Sequence, residues 1–197
     1  MLENISSSYI FKILFTHLND ARKLKLIKYN KKIQRKINIE LFNYKIYSER
    51  YIIYEIKGKG KEYDSYDDIL LYEGEFINGK RNGKGKEYNE VGNLIYEGEY
   101  LNGKRSGKGK EYKYKELIFE GEFLKGKRNG NGKEYNNEGK LIFEGEYLKG
   151  ERNGKGKEYN KEGNLEFEGE YLNGIKHGKG KEYIINGILN FKGEYFK

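Results

Sequence analysis

Tyr96-Glu-Gly-Glu-Tyr-Leu-Asn-Gly-Lys-Arg-Ser-Gly-Lys-Gly-Lys-Glu-Tyr112 is the stretch that decides the fold. The block also begins at Tyr72, Phe119, Phe143, Phe167 and Phe191. Taken in chain order from Tyr72, the starts are 24, 23, 24, 24 and 24 residues apart. The last copy runs for half a unit, to Lys197. Counting back 25 from Tyr72 reaches Tyr47, where Tyr47, Tyr51, Gly58, Gly60, Glu62 and Tyr63 keep the frame while Glu49 replaces the first Gly. A fixed period of this length marks a tandem array, and a degenerate first copy is what a capping unit looks like.

Inside one unit, Leu94, Tyr96, Gly98 and Tyr100 alternate with Ile95, Glu97 and Glu99. That is the period of two of a strand with one packed face. Asn102-Gly103 supplies a hairpin turn, Lys108 to Tyr112 a second strand, and pairs such as Glu138-Gly139 or Glu162-Gly163 close the unit. The sequence therefore predicts a mainly β fold: an antiparallel meander of tandem β-hairpins, each stabilised by stacking on its neighbours because a lone hairpin is marginal in water. Three rings per unit, for example Phe143, Tyr147 and Tyr159, are expected to supply the packing. Gly98, Gly121, Gly145 and Gly169 leave gaps for a neighbouring ring to cover. Glu97 and Glu99 point away from that face. The face taken by Lys108 and Lys110 is open, since a bulge in the turn would flip them.

Composition agrees with an array rather than a thick core. Of 197 residues, 36% are apolar and 36% charged, yet 15% are aromatic, which a disordered chain of this charge would lack. With no Cys, disulfides and thiolate metal sites are excluded. The apolar run Tyr9 to Phe15 contains Lys12 and is far shorter than the roughly 20 residues of a membrane span. It has neither the basic start nor the cleavage site of a signal peptide, so a cytoplasmic address, peripheral to membrane or cytoskeleton at most, is expected. The net charge of +8 is unevenly placed. Residues 1–46 hold ten Lys or Arg against three Asp or Glu, which leaves 29 basic and 28 acidic residues in the rest.

The pattern Tyr-x-Gly-x-aromatic-x-x-Gly-x-x-x-Gly-x-Gly at 72–85, 96–109, 119–132, 143–156 and 167–180 resembles the MORN repeat, with Phe for the first Tyr in the last three copies. The resemblance implies a single-layer elongated sheet of hairpins used as a scaffold. It also implies protein interaction or dimerisation in some members and phosphoinositide binding in others. Units are placed at 47, 72, 96, 119, 143 and 167, with the half unit at 191.

Residues 1–46 read as a separate, small helical head. Ser6-Ser7-Ser8 caps a predicted helix carrying Ile10, Phe11, Leu14, Phe15 and Leu18 on one face; Asn19 or Asp20 caps a second with Leu24, Ile27 and Ile33. Three readings stand: a cap on the array's open end, a basic amphipathic membrane helix, or an adaptor-binding module. For the last, Ile10 to Leu18 followed by Lys23 to Gln34 resembles a degenerate F-box, whose helices dock on an adaptor of a ubiquitin ligase.

Chemistry has little foothold in the residues. Gly98 to Lys104 satisfies the spacing of a phosphate-binding loop, but Arg105 stands where the magnesium-binding hydroxyl belongs and the chain runs on into a strand. His17 and His177 have no ligand spacing to anything. Glu pairs such as Glu144 and Glu146 recur in copy after copy, whereas an active site occurs once. No catalytic residue, cofactor or metal is expected, and a small-molecule substrate is not. Exposed basic turns at Lys80, Arg81, Lys104, Arg105, Lys127 and Arg128 form a candidate edge for anionic lipid or an acidic partner. Nucleic acid would need exposed rings that the packed face consumes. Three functions remain: a scaffold binding a protein partner or a second copy, a peripheral membrane binder, and a ubiquitin-ligase adaptor.

Overall fold

The computed structural model describes residues 50–55, 58–64, 67–184 and 187–196. The expected helical head, with Ile10, Phe11, Leu14, Phe15 and Leu18, lies outside the described residues. Among the described residues thirteen strands form one antiparallel sheet in sequence order, each hydrogen-bonded to the next, which is the predicted meander. They are β1 (Arg50–Tyr54), β2 (Lys59–Asp64), β3 (Leu70–Ile77), β4 (Lys80–Tyr88), β5 (Leu94–Leu101), β6 (Lys104–Lys113) and β7 (Glu116–Leu124). The rest are β8 (Lys127–Tyr135), β9 (Leu141–Leu148), β10 (Glu151–Tyr159), β11 (Leu165–Leu172), β12 (Ile175–Ile184) and β13 (Ile188–Tyr195).

The chain divides into two compact units, Met1–Tyr51 with Tyr63–Ile69, and Ile52–Glu62 with Leu70–Lys197. Among the described residues of the first, Tyr51 stacks on Tyr63 at 5.3 Å, and its hydroxyl donates to Asp68 at 2.6 Å. The second contains the repeats.

The second strand of each repeat is longer than expected, because pairing resumes at once after the turn. In β5–β6, Leu101 lies opposite Lys104 and Tyr100 opposite Arg105, then Gly98 opposite Gly109. Between those last two pairs β5 spends one residue and β6 three. The bulge thus inserts two residues, an even number, and leaves the alternation of faces intact. Lys108 and Lys110 therefore share the face of Glu97 and Glu99, with Lys110 paired to Glu97 and Lys108 to Glu122.

Asn102 and Gly103 have φ of 51° and 82°, as a two-residue hairpin turn of the mirror type requires. The Gly103 amide then donates to the carbonyl of Arg81 at 2.8 Å, and Gly126, Gly150 and Gly174 repeat this to Arg105, Arg128 and Arg152. Each turn is thereby tied to the preceding unit. The 23-residue interval has its cause in Tyr114-Lys115, a two-residue link with φ of 52° and 73°, where other units use a longer loop closed by Asn89, Asn136 or Asn160. Left-handed backbone costs a residue with a Cβ roughly 1–2 kcal/mol. Replacing Tyr114-Lys115 by Asn-Gly should raise stability by about 1 kcal/mol, seen as a higher urea midpoint; an unchanged midpoint would mean that this turn is not strained.

The core lies on one face of the sheet. Tyr72, Tyr96, Phe119, Phe143 and Phe167 are fully buried, and Phe76, Tyr100, Phe123, Tyr147 and Tyr171 nearly so. They form one edge-to-face series in which the first ring of a unit meets the second ring of its own unit and of the next. Phe143 lies 5.6 Å from Tyr147 and 5.3 Å from Tyr171. Such pairs contribute about 0.5–1.5 kcal/mol each beyond the area they bury. The third ring expected in this packing is not there. Tyr159 lies half-buried on the opposite face, because an even number of positions does not separate it from Gly156, and its hydroxyl donates to Glu144 at 2.7 Å. The gap at each Gly is filled first by a ring of the same unit: a Cβ on Gly156 would strike the tip of Phe143, with Tyr171 of the following unit at 3.2 Å.

Candidate interaction face

The arginines of the repeat belong to the core face. Arg81 sits over the Tyr72 ring, Arg105 over Tyr96, Arg128 over Phe119 and Arg152 over Phe143, at 4.0–4.6 Å, with Lys176 over Phe167 in the last unit. Each cation also bridges two carboxylates from adjacent units. Arg105 meets Glu87 at 2.8 Å and Glu111 at 3.0 Å, and Arg128 meets Glu111 at 2.7 Å and Glu134 at 3.0 Å. The alternation runs from Glu62 through Arg81, Arg105, Arg128, Arg152 and Lys176 to Glu182. Burial pushes the Glu87 carboxyl up, but the guanidinium charges of Arg105 and Arg81 and hydrogen bonds from Arg105 and Tyr100 outweigh it and hold it below the ordinary carboxylate range. Tyr100 is raised above the usual phenol range, first by burial and then by the Glu87 charge.

The expected basic turns divide between the two faces. Lys80, Lys104 and Lys127 are exposed beside the turns, while Arg81, Arg105 and Arg128 are half-buried and neutralised in the ladder. The sequence paired them as neighbours; strand alternation sends them to opposite sides. On the core face, then, the rings are packed and the cations paired.

The opposite face carries an open groove of about 2010 Å³. Its floor is backbone, a row of glycines such as Gly98 and Gly109 that face each other across every strand pair. Two rows of alternating charge form its walls. In one, Lys86 faces Glu97, Lys110 faces Glu120, Lys133 faces Glu144 and Lys157 faces Glu168. Ion pairs form along it, Lys110–Glu120 at 3.2 Å and Lys181–Glu168 at 2.7 Å. Tyr88, Tyr159 and Tyr183 donate into the same carboxylates, at Glu73, Glu144 and Glu168. Burial, followed by the bond to Glu144, pushes the Tyr159 phenol up to about 12.

The other row behaves differently. Glu75 and Glu146 accept from the backbone amides of Lys84 and Lys155, at 3.2 and 3.3 Å. Their carboxylates fill the space beside Gly83 and Gly154, whose positive φ opens the bulge. The lysines of this row, Lys84, Lys108, Lys155 and Lys179, are exposed and form no ion pair among the described residues. Sequence reading did not find this row, because only the bulge's two-residue length assigns Lys108 to a face. Among the described residues no cluster of His, Cys, Asp or Glu is arranged to hold a metal, and no helix is long and apolar enough to cross a membrane.

An ordered series of hairpins sharing one sheet, one ring stack and one charge ladder defines a tandem β-hairpin repeat array. The chain belongs to the MORN-repeat family: the repeat's sequence pattern matches 72–93, 96–115, 119–140, 143–164 and 167–188, more than half of its length. MORN repeats are in general interaction and membrane-association modules without enzymatic activity. None of the curated proteins matches in sequence. Two similar solved structures are "Crystal Structure of TarM" and a mutant of S. aureus TarM in complex with Fondaparinux, alpha-GlcNAc-glycerol and UDP. They are 13% and 14% identical over 79% and 81% of this chain, at a TM-score of 0.29 in both cases. The chain spans only 26% and 31% of them, and a likeness of that score carries no functional argument.

Proposed function

We propose that this chain is a non-catalytic scaffold that holds an extended segment of a protein partner in the glycine-floored groove. The carrying observation is the wall chemistry: Glu and Lys alternate along most of both rows, with Asn131 for one Lys and Lys192 for one Glu, over a floor of backbone. A polypeptide with interleaved charges complements such walls, and the backbone floor between them leaves room for its main chain. An anionic membrane needs a surface of one sign, and here a carboxylate lies beside nearly every lysine. Lipid contact through Lys80, Lys104 and Lys127 is the second reading, favoured by their exposure beside successive turns.

Two variant sets separate the readings. Changing Lys84, Lys108, Lys155 and Lys179 to Glu removes one sign from a groove wall without breaking an ion pair, and is expected to lower recovery of native-cell partners in affinity purification at least about tenfold, since like-charge juxtaposition at an interface costs several kcal/mol. Changing Lys80, Lys104 and Lys127 to Gln should leave that recovery intact. The groove reading fails if the first set retains every partner, and the lipid reading replaces it if the second abolishes flotation with phosphoinositide-containing vesicles.

A further inference from the structure

The groove has a fixed period along the sheet, and one backbone conformation shares it. Lys84, Lys108, Lys155 and Lys179 stand at one place in each hairpin, on β4, β6, β10 and β12, and Asn131 holds that place on β8. Consecutive places are therefore two strands apart in one unbroken ladder. At the usual spacing between strands that is about 9.5 Å. The four ammonium groups are exposed and form no ion pair among the described residues. The carboxylates of the same wall, Glu75, Glu99, Glu122, Glu146 and Glu170, lie over the bulge glycines instead.

A second row runs beside the first with the same period. Ile77, Leu101, Leu124, Leu148 and Leu172 each follow a buried ring in their strand, as Leu101 follows Tyr100, so alternation puts them on the groove's side of the sheet. They are 44–58% exposed, whereas the rings they follow are 3–6% exposed. Each stands two residues beyond a Glu of the wall, as Leu101 does beyond Glu99, which is about 7 Å along the strand. Nearly every unit thus offers one free ammonium group and one uncovered aliphatic group, side by side.

We propose, resting on the groove reading above, that the segment held there is a polyproline II helix with one acidic and one apolar residue in every three. Such a helix has three residues per turn and rises about 3.1 Å per residue, so each of its faces returns every ~9.3 Å. That matches the period of the groove to within a few tenths of an ångström. An α-helix brings back a face after seven residues, about 10.5 Å, and would slip by roughly 1 Å at every unit. A β-strand brings back a face every ~6.8 Å, and no multiple of that falls near the period. Only the polyproline II form keeps its side chains in step with both rows over several units. Its acids meet the ammonium row, its apolar residues meet the aliphatic row, and its third face, suited to Pro, stays in water. Asn131 interrupts the ammonium row, so the preferred segment has no acid at the turn that meets β8.

Fluorescent peptides of about four turns are titrated against the full 197-residue chain and followed by anisotropy. One repeats Pro-Leu-Glu; a second has the same composition with its acids at alternate positions; a third is an Ala-rich helix with an acid at every seventh residue. The first should bind at least about tenfold more tightly than either of the others. Changing Lys84, Lys108, Lys155 and Lys179 together to Gln should weaken it by about tenfold or more, and Leu101→Thr with Leu124→Thr should weaken it severalfold. Asn131→Lys completes the ammonium row and should tighten the first peptide by about threefold, a gain that misfolding cannot produce. The proposal is overturned if no peptide binds, if the second or third binds as tightly as the first, or if Asn131→Lys leaves the first unchanged. In any of these cases, loss of native partners from the chain with Glu at the four lysine positions would still uphold the groove reading. Retention of those partners as well would sink both.

Discussion

Replacing Tyr147 by Ala should destabilise the repeat unit by about 3–5 kcal/mol, the range for deleting a buried aromatic ring. Tyr147 is 3% exposed and meets Phe119 of the preceding unit at 5.2 Å as well as Phe143 of its own at 5.6 Å. Its loss opens a cavity at a junction between units, where an array keeps most of its stability. The same change at Phe196, which is 81% exposed, should cost a small fraction of that. Urea denaturation followed by tyrosine fluorescence and far-ultraviolet dichroism gives both numbers. Equal losses at the two positions would refute a stack whose strength lies between units and whose end is open.

Gly145→Ala is expected to be almost as damaging, at about 3 kcal/mol, although it adds a single methyl group. That methyl would lie 2.6 Å from the Gly156 Cα and from the Lys155 carbonyl oxygen, both backbone atoms of the paired strand, and 2.8 Å from the tip of Phe143. A ring can turn aside; a paired backbone can yield only by breaking its ladder. Shortening the ring in the double variant Gly145→Ala with Phe143→Leu should therefore fail to restore stability. If the double variant recovers the Gly145→Ala loss in urea titration, the ring rather than the strand approach sets the requirement for glycine.

Much of this was legible in the residues. The 24-residue period and the alternation Leu94, Tyr96, Gly98, Tyr100 determined the hairpins, their order in the sheet and the face that carries the rings, because neighbouring units and period-two patterns are local properties of the chain. Asn102-Gly103 determined the turn for the same reason. The tertiary structure decided where the charges go. Lys104 and Arg105 are adjacent in sequence and read as one basic turn, but alternation and the length of the bulge send Arg105 over Tyr96 into a ladder with Glu87 and Glu111, residues of two different strands. A one-residue bulge would have reversed Lys108 and Lys110, and the two-residue bulge is seen only in the paired strands, where Glu99 lies over the positive-φ Gly107. The groove and its unpaired lysines are properties of register. Register is set by the fit between strands, so no single strand's sequence contains it.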